Sequence, residues 1–439
     1  MHDSFYLVNP GGKLAGRIRV PGDKSISHRS VMLGAIADGL TEVSGFLEGA
    51  DAISTMNVFR ALGVQIEGPS AGQVRVHGVG KFGLRAPTAP LDCGNAGTAM
   101  RLLMGLLAGQ SFASVLIGDE SLSRRPMRRV ADPLSQMGAQ ISTINGTPPV
   151  TLQPATKLHG IDFRMPMASA QVKSSILLAG LYADGTTIVT EPAPTRDHTE
   201  RMLVGFGAKL IRDGARVSLS GGQNLRGCRI DVPADISSAA FFLVAASIAE
   251  RADLTLEHVG MNPTRTGIVE ILRLMGANID VFNAREVGGE PVADLRVRNA
   301  VLRGIDVPSQ LVPLAIDEFP VLFIAAACAS GRTRVTGAHE LRVKESDRIA
   351  VMAQGLAAVG FNATATEDGM LIDGHGADRQ VFSGGTVESH GDHRIAMAFA
   401  VAALRSRAPI RIQETANVAT SFPGFAALCR GCGLDVTEH

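Results

Sequence analysis

The sequence predicts an α/β protein of two domains, each built from three repeat units around buried helices. Two kinds of segment return six times along the 439 residues. The first is a nearly all-apolar helix followed by a strand. The second is an amphipathic helix that ends at a glycine before a short β-like run. These glycines recur at intervals of 69 to 84 residues, so six units account for nearly the whole chain.

The apolar segments are predicted helices without a polar face. A helix that is apolar on all sides must be buried all round. Six such helices cannot share one core, so we assign three to each domain. The segments occupy residues 28–39, 98–109, 171–185, 235–250, 317–331 and 392–405.

The amphipathic helices each carry one apolar stripe. In residues 347–360 the stripe comprises Ile349, Met352, Leu356 and Val359, which recur every three or four residues. A glycine marks the end of each helix, because the residue at that position often needs a positive φ. The six glycines are Gly63, Gly138, Gly207, Gly276, Gly360 and Gly433.

The domain boundaries follow from the order of the units. Crossovers are predicted at residues 20–22 and 232–234, because three of the glycines lie between them and three lie after them. The N-terminal strand in residues 5–21 precedes the first unit and is expected to complete the C-terminal domain. The predicted domains are a discontinuous one, residues 1–21 plus 235–439, and an inserted one, residues 22–234.

The composition argues against several classes of function. Lys plus Arg and Asp plus Glu each number 42 and Trp is absent, so nothing favours nucleic acid or a membrane surface as a partner. The longest apolar runs, such as residues 239–249, fall short of the ~20 residues that span a bilayer. The chain starts without the features of a secretory signal, and its five cysteines are few and odd in number. We therefore expect a cytoplasmic protein.

Polar and basic residues begin the apolar helices and define a candidate site. A helix N-terminus offers free N–H groups and a partial positive charge, which favour an anion. In a pseudo-threefold domain, equivalent helix ends face the same way, so their cations would bind an anion together. The basic residues are Lys24, Arg29, Lys173 and Arg394. The alternative is that polar residues there only cap helices, and it stays open for Asp235, Ser237 and Ser238.

Two further basic clusters, residues 123–129 and 342–348, open amphipathic helices at the same repeat position, one in each domain. A charge run is ordinarily a solvated face. If the two domains close on each other, however, both clusters reach a shared cleft. The protein would then surround a small, multiply anionic substrate with cations.

Two other motifs carry less weight. Residues 78–83 fit G-x-G-x-x-G after a strand, but the following LRAPTAP cannot begin a helix, which disfavours a dinucleotide site. A metal at His390, Asp392 and His393 would lack a clear third histidine and would lie beside Arg394. The sequence therefore predicts no metal and no cofactor.

Ten segments resemble 5-enolpyruvylshikimate-3-phosphate (EPSP) synthases and follow the order of that family. They extend over residues 21–423. Four of them are similar to the second class of the family, which is associated with glyphosate tolerance. The segments are PGDKSISHR (21–29), NAGTAMR (95–101), RPMRR (125–129), MASAQVKSS (167–175), TRDHTE (195–200), NPTR (262–265), IDEFP (316–320), LRVKESDR (341–348), DHRIAM (392–397) and TSFP (420–423).

The resemblance implies transfer of the enolpyruvyl group of phosphoenolpyruvate to the 5-hydroxyl of shikimate 3-phosphate. Addition would give a tetrahedral ketal phosphate, and elimination would release phosphate. The implied enolpyruvyl-transferase fold is an inside-out α/β barrel whose domains close over the substrates. The inserted domain would carry the shikimate 3-phosphate side of the cleft and the discontinuous domain the phosphoenolpyruvate side. The resemblance also implies a monomer, with glyphosate as an inhibitor.

The motifs imply the substrate-binding residues one by one. Arginine suits phosphoenolpyruvate, because its fork binds carboxylate and phosphate bidentately. Residues implied for shikimate 3-phosphate are Lys24, Ser25, Arg29, Ser169, Ala170 through its backbone, Gln171, Arg196, Asp317 and Lys344. Residues implied for phosphoenolpyruvate are Lys24, Gly97, Arg125, Gln171, Arg348 and Arg394.

Four residues are the candidates for the chemistry. Asp317 resembles the family residue beside the 5-hydroxyl and is the candidate base. Glu345 is the candidate for handling the methylene proton, while Lys24 and Lys344 are electrostatic stabilisers or alternative proton carriers. Which group moves which proton stays open. The alternative for Asp317 is a helix cap ahead of Pro320.

Three positions depart from the family pattern or have a second interpretation. Thr420 stands where other members of the family have a lysine, so one contact with phosphoenolpyruvate could be absent or supplied elsewhere. Gly97 is a glycine, whereas some tolerant members have alanine. Cys93 is either a modifiable thiol or a small buried residue.

Three other functions compete with this interpretation. An enolpyruvyl transferase that acts on UDP-N-acetylglucosamine would share the fold, but GDKSISHR and SAQVK favour shikimate 3-phosphate. A metal-dependent hydrolase would have to use the His390 to His393 segment. A non-catalytic phosphate-binding protein would not need the candidate acids Asp317 and Glu345.

Overall fold

The computed structural model describes residues 4–155, 157–376 and 380–439. The chain divides into two compact units. The inserted unit comprises Gly22–Val232 and Val287–Glu290. The terminal unit comprises the N-terminal segment through Pro21, together with Pro233–Glu286 and Pro291–His439. Within the described ranges, no helix is long and apolar enough to cross a membrane.

Buried and amphipathic helices alternate along the described chain, as the repeat predicts. Odd-numbered helices are the buried ones and even-numbered helices the amphipathic ones. They are α1 (Lys24–Ile36), α2 (Ala50–Ala61), α3 (Gly97–Leu107), α4 (Arg128–Gln136), α5 (Ala170–Gly180), α6 (His198–Gly205), α7 (Ile236–Ile248), α8 (Gly267–Leu274), α9 (Phe319–Ala327), α10 (Arg348–Ala358), α11 (His393–Ala402) and α12 (Phe425–Cys432).

Strands lie between consecutive helices, before α1 and after α12. They are β1 (Phe5–Val8), β2 (Lys13–Ile18), β3 (Ala37–Ser44), β4 (Gln65–Ser70), β5 (Gln73–Val79), β6 (Leu91–Asp92), β7 (Ser114–Ile117), β8 (Gln140–Ile144), β9 (Thr147–Gln153), β10 (Asp162–Arg164), β11 (Thr186–Thr190), β12 (Leu210–Asp213), β13 (Arg216–Ser220), β14 (Leu225–Arg226), β15 (Arg229–Asp231), β16 (Arg251–Gly260), β17 (Asn278–Val287), β18 (Glu290–Arg298), β19 (Ser330–Val335), β20 (Thr364–Ala365), β21 (Met370–His375), β22 (Gly385–Glu388), β23 (Ile410–Gln413) and β24 (Val436–Glu438).

Each repeat unit forms its own small sheet. In the inserted unit the strand orders are β14-β3-β5-β4 with β15 also on β3, β6-β7-β9-β8, and β10-β11-β13-β12. The last of these shows the common pattern, because β10 and β11 pair in parallel across α5, whereas β13 pairs antiparallel with β11 and β12. A parallel pair joined through a helix is the βαβ connection that the repeat predicts.

The terminal unit is completed by the start of the chain. Its strand orders are β17-β18-β16-β2, β19-β21-β20 and β22-β23-β1-β24. Strand β1 lies between β23 and β24 and pairs antiparallel with both. Strand β2 pairs in parallel with β16. Both ends of the chain therefore belong to one unit.

Each unit has its own hydrophobic core around three buried helices. All thirteen residues of α7 and all nine of α9 are buried. In the inserted unit, α3 and α5 touch at Gly105, where a Cβ would lie 2.0 Å from the carbonyl oxygen of Ser175. Burying one large apolar side chain stabilises a fold by roughly 1.5–3 kcal/mol, so helices of this kind dominate the stability of both units.

The six glycines that end the amphipathic helices adopt the predicted conformation. Their φ values lie between 78° and 108°. In α2, the N–H of Gly63 donates to the carbonyl of Arg60, and the N–H of Val64 donates to that of Phe59. This pattern is a Schellman motif, which satisfies carbonyls that the helix end leaves open. The prediction of six glycine-terminated helices is confirmed.

Candidate active site

In the inserted unit, the predicted residues lie at the N-termini of α1, α3 and α5. Helix α1 begins at Lys24, four residues before the predicted apolar segment, because Asp23 caps it by accepting from the N–H of Ile26 at 2.9 Å. The ammonium of Lys24 forms an ion pair with Asp51 at the start of α2. The sequence did not predict Asp51 as a partner of Lys24. Its place in the first turn of α2 is the one signal that could have indicated it.

Arg29 is buried one turn further along α1. Its Nε donates to Thr199 Oγ1 at 2.6 Å, its Nη1 to the carbonyl of Ser25 at 3.0 Å, and its Nη2 to Ser174 Oγ at 3.0 Å. Burial, together with the nearby charge of Arg196, lowers the pKa of Arg29 to about 10, although carboxylates such as Glu200 oppose the shift. The group therefore keeps its charge at neutral pH. The structure brings Ser25 and Arg196 close to Arg29.

Lys173 does not contribute to an open anion site. Its side chain is fully buried, and its Nζ lies 3.0 Å from a carboxylate oxygen of Glu191 and 2.7 Å from one of Glu200. A buried ammonium requires such partners, because an unpaired charge inside a protein is costly. The prediction that Lys173 helps to bind an anion is wrong. Its position on the inner face of α5 was not evident from a helix that is apolar almost throughout.

Gly97 and Arg125 are neighbours at the start of α3. Arg125 Nη2 donates to Asn95 Oδ1 at 2.8 Å and to Ser121 Oγ at 3.1 Å. A Cβ on Gly97 would lie 3.1 Å from Arg125 Nη1, which is closer than ordinary van der Waals contact. The glycine thus allows the guanidinium to lie directly against the first turn of the helix.

The third N-terminus presents Ser169, Ala170 and Gln171. Ser169 caps α5, since its Oγ accepts from the N–H of Val172 at 3.4 Å. Gln171 connects α5 to α3, because its Nε2 donates to Thr98 Oγ1 at 2.8 Å. Ala170 is the first helical residue and offers a backbone N–H.

In the terminal unit, the predicted residues gather at the starts of α9, α10 and α11. A carboxylate oxygen of Asp317 lies 3.5 Å from Lys344 Nζ and 3.4 Å from Arg348 Nη1. The other lies 4.0 Å from Arg394 Nη2. The N-cap of α9 is Glu318, without a side-chain hydrogen bond to the helix. The alternative that Asp317 only caps this helix is therefore wrong.

Arg348 is 1% exposed and lies among three carboxylates. Its Nε donates to Asp392 at 2.9 Å, its Nη2 to Glu345 at 2.6 Å, and its Nη1 to Asp317 at 3.4 Å. Burial alone would lower the pKa of Arg348, but these carboxylates outweigh it and raise the pKa above its ordinary value. Burial likewise opposes the charge of Asp392, yet Arg348 holds the pKa of that carboxyl below its usual range.

Asp392 has a role that sequence reasoning missed. Besides binding Arg348, it accepts from Ser346 Oγ at 2.9 Å and caps α11 through the N–H of Arg394 at 3.0 Å. Its carboxylate therefore ties together the starts of α10 and α11. Its place before a helix was consistent with a cap, which is a common role of aspartate, but nothing in the sequence indicated its bond to Arg348. In the part of the chain that the structure describes, no group of three or more His, Cys, Asp and Glu side chains could hold a metal ion.

The start of α7 bears on the capping alternative. Asp235 caps the helix by accepting from the N–H of Ser237 at 2.8 Å, and it also pairs with Arg265 at 3.1 Å. Ser237 instead donates its hydroxyl to Glu318. The capping interpretation is therefore correct for Asp235, and the Ser237 hydroxyl has a different partner.

The weaker signals have structural explanations. The residues after the G-x-G-x-x-G segment form no helix before Gly97. Cys93 is buried, and burial raises the pKa of its thiol to about 12, so it is a protonated interior residue. Thr420 donates to the carbonyl of Asn417 at 2.7 Å, within its own turn.

Comparison with known proteins shows the family of the chain. The family model described as EPSP synthase (3-phosphoshikimate 1-carboxyvinyltransferase) matches residues 8–428. A 3-phosphoshikimate 1-carboxyvinyltransferase of Alkalilimnicola ehrlichii is 67% identical, with 99% of this chain and 96% of that protein covered. One from Methylococcus capsulatus is 62% identical, with 99% of each chain covered.

A solved EPSP synthase from Acinetobacter baumannii has a TM-score of 0.90 and 57% identity, with 100% of both chains covered. This likeness confirms the predicted fold class, the two-domain enolpyruvyl-transferase fold. A match over nearly the whole chain leaves no large segment outside the family pattern. The chain therefore belongs to the EPSP synthase family.

Proposed function

We propose that the protein transfers the enolpyruvyl group of phosphoenolpyruvate to the 5-hydroxyl of shikimate 3-phosphate. The relatives carry the name of this activity. The observation that carries most weight is the arrangement around Asp317, a carboxylate within 4.0 Å of Lys344, Arg348 and Arg394. A candidate base surrounded by three cations is suited to a reaction whose substrates are both anionic.

Phosphoenolpyruvate is assigned to Lys24, Gly97, Arg125, Gln171, Arg348 and Arg394. The contacts of Arg348 add a detail to this assignment. Every nitrogen of its guanidinium already donates to a carboxylate. A substrate carboxylate or phosphate that binds Arg348 must therefore replace one of them. Glu345 is the most exposed of the three, with a side chain 24% exposed, so we infer that substrate displaces Glu345 and frees it to handle a proton.

Shikimate 3-phosphate is assigned mainly to the helix starts of the inserted unit. Arg29 and Arg196 supply charge for its phosphate, while Ser25, Ser169 and the backbone of Ala170 supply hydrogen bonds. Lys24 and Gln171 complete this set. Asp317 and Lys344 are assigned to the hydroxyl that reacts.

The proposed reaction has two steps. In the addition, the 5-hydroxyl oxygen attacks C2 of phosphoenolpyruvate, Asp317 takes the hydroxyl proton, and Glu345 gives a proton to the methylene carbon. In the elimination, the methyl group returns a proton to Glu345 while the C2–O bond to phosphate breaks, and the departing phosphate takes up the proton held by Asp317, which restores both carboxyl groups to their starting states. Lys344 and Lys24 stabilise the negative charge on the reacting groups.

A phosphate-release assay tests this function. We expect release from the two substrates together and from neither alone, and no release when Asp317→Asn replaces the candidate base in a folded protein. Release with UDP-N-acetylglucosamine in place of shikimate 3-phosphate would favour the sister transferase instead. Turnover that disappears in excess chelator would favour a metal-dependent hydrolase. Tight binding of both substrates without turnover would indicate a binding protein.

We further propose that the enzyme acts as a monomer and that glyphosate competes with phosphoenolpyruvate. Both proposals are based on the family resemblance. Sedimentation at working concentration tests the first. Inhibition that more phosphoenolpyruvate fails to relieve would contradict the second.

A further inference from the structure

Arg101 belongs to the NAGTAMR motif but received no role from the sequence. It follows Gly97 by one helical turn on the same face of α3. Its side chain is buried, with the residue only 5% exposed. Its Nη1 would lie 3.5 Å from a Cβ on Gly97, so this guanidinium borders the same glycine as Arg125 does.

The hydrogen bonds of Arg101 lead to two parts of the candidate site. Its Nη1 donates to Gln171 Oε1 at 2.6 Å, and its Nη2 donates to the carbonyl of Pro126 at 3.3 Å. Gln171 is the second residue of α5, the helix that Ser169 caps, and Pro126 follows Arg125 directly. One guanidinium therefore links α3 to the start of α5 and to the loop that presents Arg125.

The bond to Gln171 fixes the orientation of the amide. A guanidinium only donates hydrogen bonds, so the oxygen of Gln171 must face Arg101 and its nitrogen must face Thr98. A charge-assisted bond of this kind is roughly twice as strong as one between neutral groups. Without Arg101, the side-chain amide of Gln171 would be free to rotate, and the carbonyl of Pro126, next to Arg125, would lose a hydrogen-bond donor.

We propose that Arg101 is a positioning residue that holds Gln171 and the Arg125 loop in the orientation needed for both substrates. The proposal rests on the proposed function, which assigns Gln171 and Arg125 to those substrates. The competing explanation is that Arg101 only joins two helices. That explanation is less economical, because α3 and α5 already touch at Gly105, one turn beyond Arg101.

The first test compares Arg101→Met and Arg101→Lys with a control, Arg60→Met. Arg60 is a fair match because it also donates to a side-chain amide oxygen, that of Asn57 at 3.1 Å, and to a backbone carbonyl, that of Ile66 at 3.1 Å. We expect Arg101→Met to raise the KM for both substrates at least tenfold, with a smaller change in kcat. Lysine keeps the charge but not the fork, so Arg101→Lys should recover part of the loss. Arg60→Met should change stability alone.

The second test is a double-mutant cycle with Gln171→Met. If Arg101 acts through Gln171, the double mutant should be much less impaired than the product of the two single effects. The inference would be overturned if the impairment of the double mutant equalled the product of the two single effects, or if Arg101→Met left KM unchanged. Should Arg101→Met fail to fold, the same cycle with Arg101→Lys decides the matter. A wild-type protein that releases no phosphate refutes the proposed function itself, whereas an active wild type with an unaffected Arg101 variant refutes only the positioning role.

Discussion

At the scale of single residues, Gly97 is where a small addition should have a specific effect. The methyl group of Gly97→Ala would approach Arg125 Nη1 to 3.1 Å, so the guanidinium must shift by a few tenths of an ångström. Crowding of this size costs on the order of 1 kcal/mol, which is about fivefold in the KM for phosphoenolpyruvate. Glyphosate is longer and should be affected more, so its inhibition constant should rise by a larger factor. Equal inhibition constants for the two proteins would contradict this.

Arg125 and Arg394 are the arginines that the proposal assigns to phosphoenolpyruvate in the two units. Alanine at either position removes a charged donor from a bound anion, which typically costs 2–5 kcal/mol. We expect Arg125→Ala and Arg394→Ala each to raise the KM for phosphoenolpyruvate by more than tenfold while the protein stays folded. Arg332→Ala is a suitable control, since Arg332 is an exposed partner of Asp373. A normal KM in either variant would count against that assignment.

His28 should make stability depend on pH. Burial lowers the pKa of His28 well below 6.5, and the charges of Lys24 and Arg29 lower it further. The folded state then keeps the imidazole neutral, while the unfolded state takes up a proton below pH 6.5. Stability contributed by this group is therefore present above pH 6.5 and lost as the pH falls, by about 1.4 kcal/mol per pH unit. Urea unfolding at pH 5.5 and 7.5 should show a smaller pH effect for His28→Gln than for wild type, and identical effects would disprove it.

Sequence reasoning identified which ionic residues stand at helix starts but not which partners they have. Lys24 pairs with Asp51, Lys173 with Glu191 and Glu200, and Arg348 with Asp392. In each case the fold brings together residues from different helices or loops. Periodicity reports which face of a helix is apolar, and it carries no information about a partner 44 residues away. For this reason the sequence predicts an anion site at Lys173, although the fold pairs that residue with carboxylates.

At the scale of elements, the repeat predicted the two kinds of helix and their order, but it did not predict every residue at which a helix begins. The buried helices and the glycine-terminated helices depend on local pattern, and both kinds were found where the pattern placed them. The first apolar helix begins at Lys24 rather than at residue 28, because a polar first turn is stabilised by the Asp23 cap. Polar residues at a helix start thus hide its true beginning from a search for apolar runs.

Helix α6 allows a matched test of the glycine signal. Gly207 has a φ of +92° and Gly205 is helical, and a Cβ at either position would meet nothing within 4 Å. The two positions therefore differ in backbone conformation and not in the space available for a side chain. Gly207→Ala should destabilise the inserted unit by about 1–2 kcal/mol, because the left-handed conformation is strained for alanine. Gly205→Ala should instead stabilise it by about 0.5–1 kcal/mol. Denaturant unfolding measures both, and effects of the same sign would contradict the conformational explanation.

At the scale of the whole molecule, the two cores are distributed differently along the chain. All residues of the inserted unit's core cluster lie between Ile26 and Val232. The core of the terminal unit, in contrast, combines residues from Tyr6 to Val20 with residues after Pro233. One core is therefore encoded by a continuous segment, and the other needs both ends of the chain.

This difference predicts how fragments behave. Residues 22–232 should fold alone and unfold cooperatively, although they lose the bond between His198 Nδ1 and Glu290 Oε1. Residues 233–439 should not fold alone, because β1 is the strand that joins β23 to β24 in their sheet. Adding residues 1–21 in trans or through a linker should restore cooperative unfolding.

The same fragments separate binding from chemistry. Residues 22–232 retain most of the groups assigned to shikimate 3-phosphate but lack Asp317 and Lys344. We therefore expect this fragment to bind shikimate 3-phosphate more weakly than the full chain and to release no phosphate from the two substrates. Calorimetry and the phosphate assay measure the two properties. Because the charges of Arg29 and Arg196 lie within the fragment, complete loss of binding by a folded fragment would refute the assignment of the phosphate to those residues.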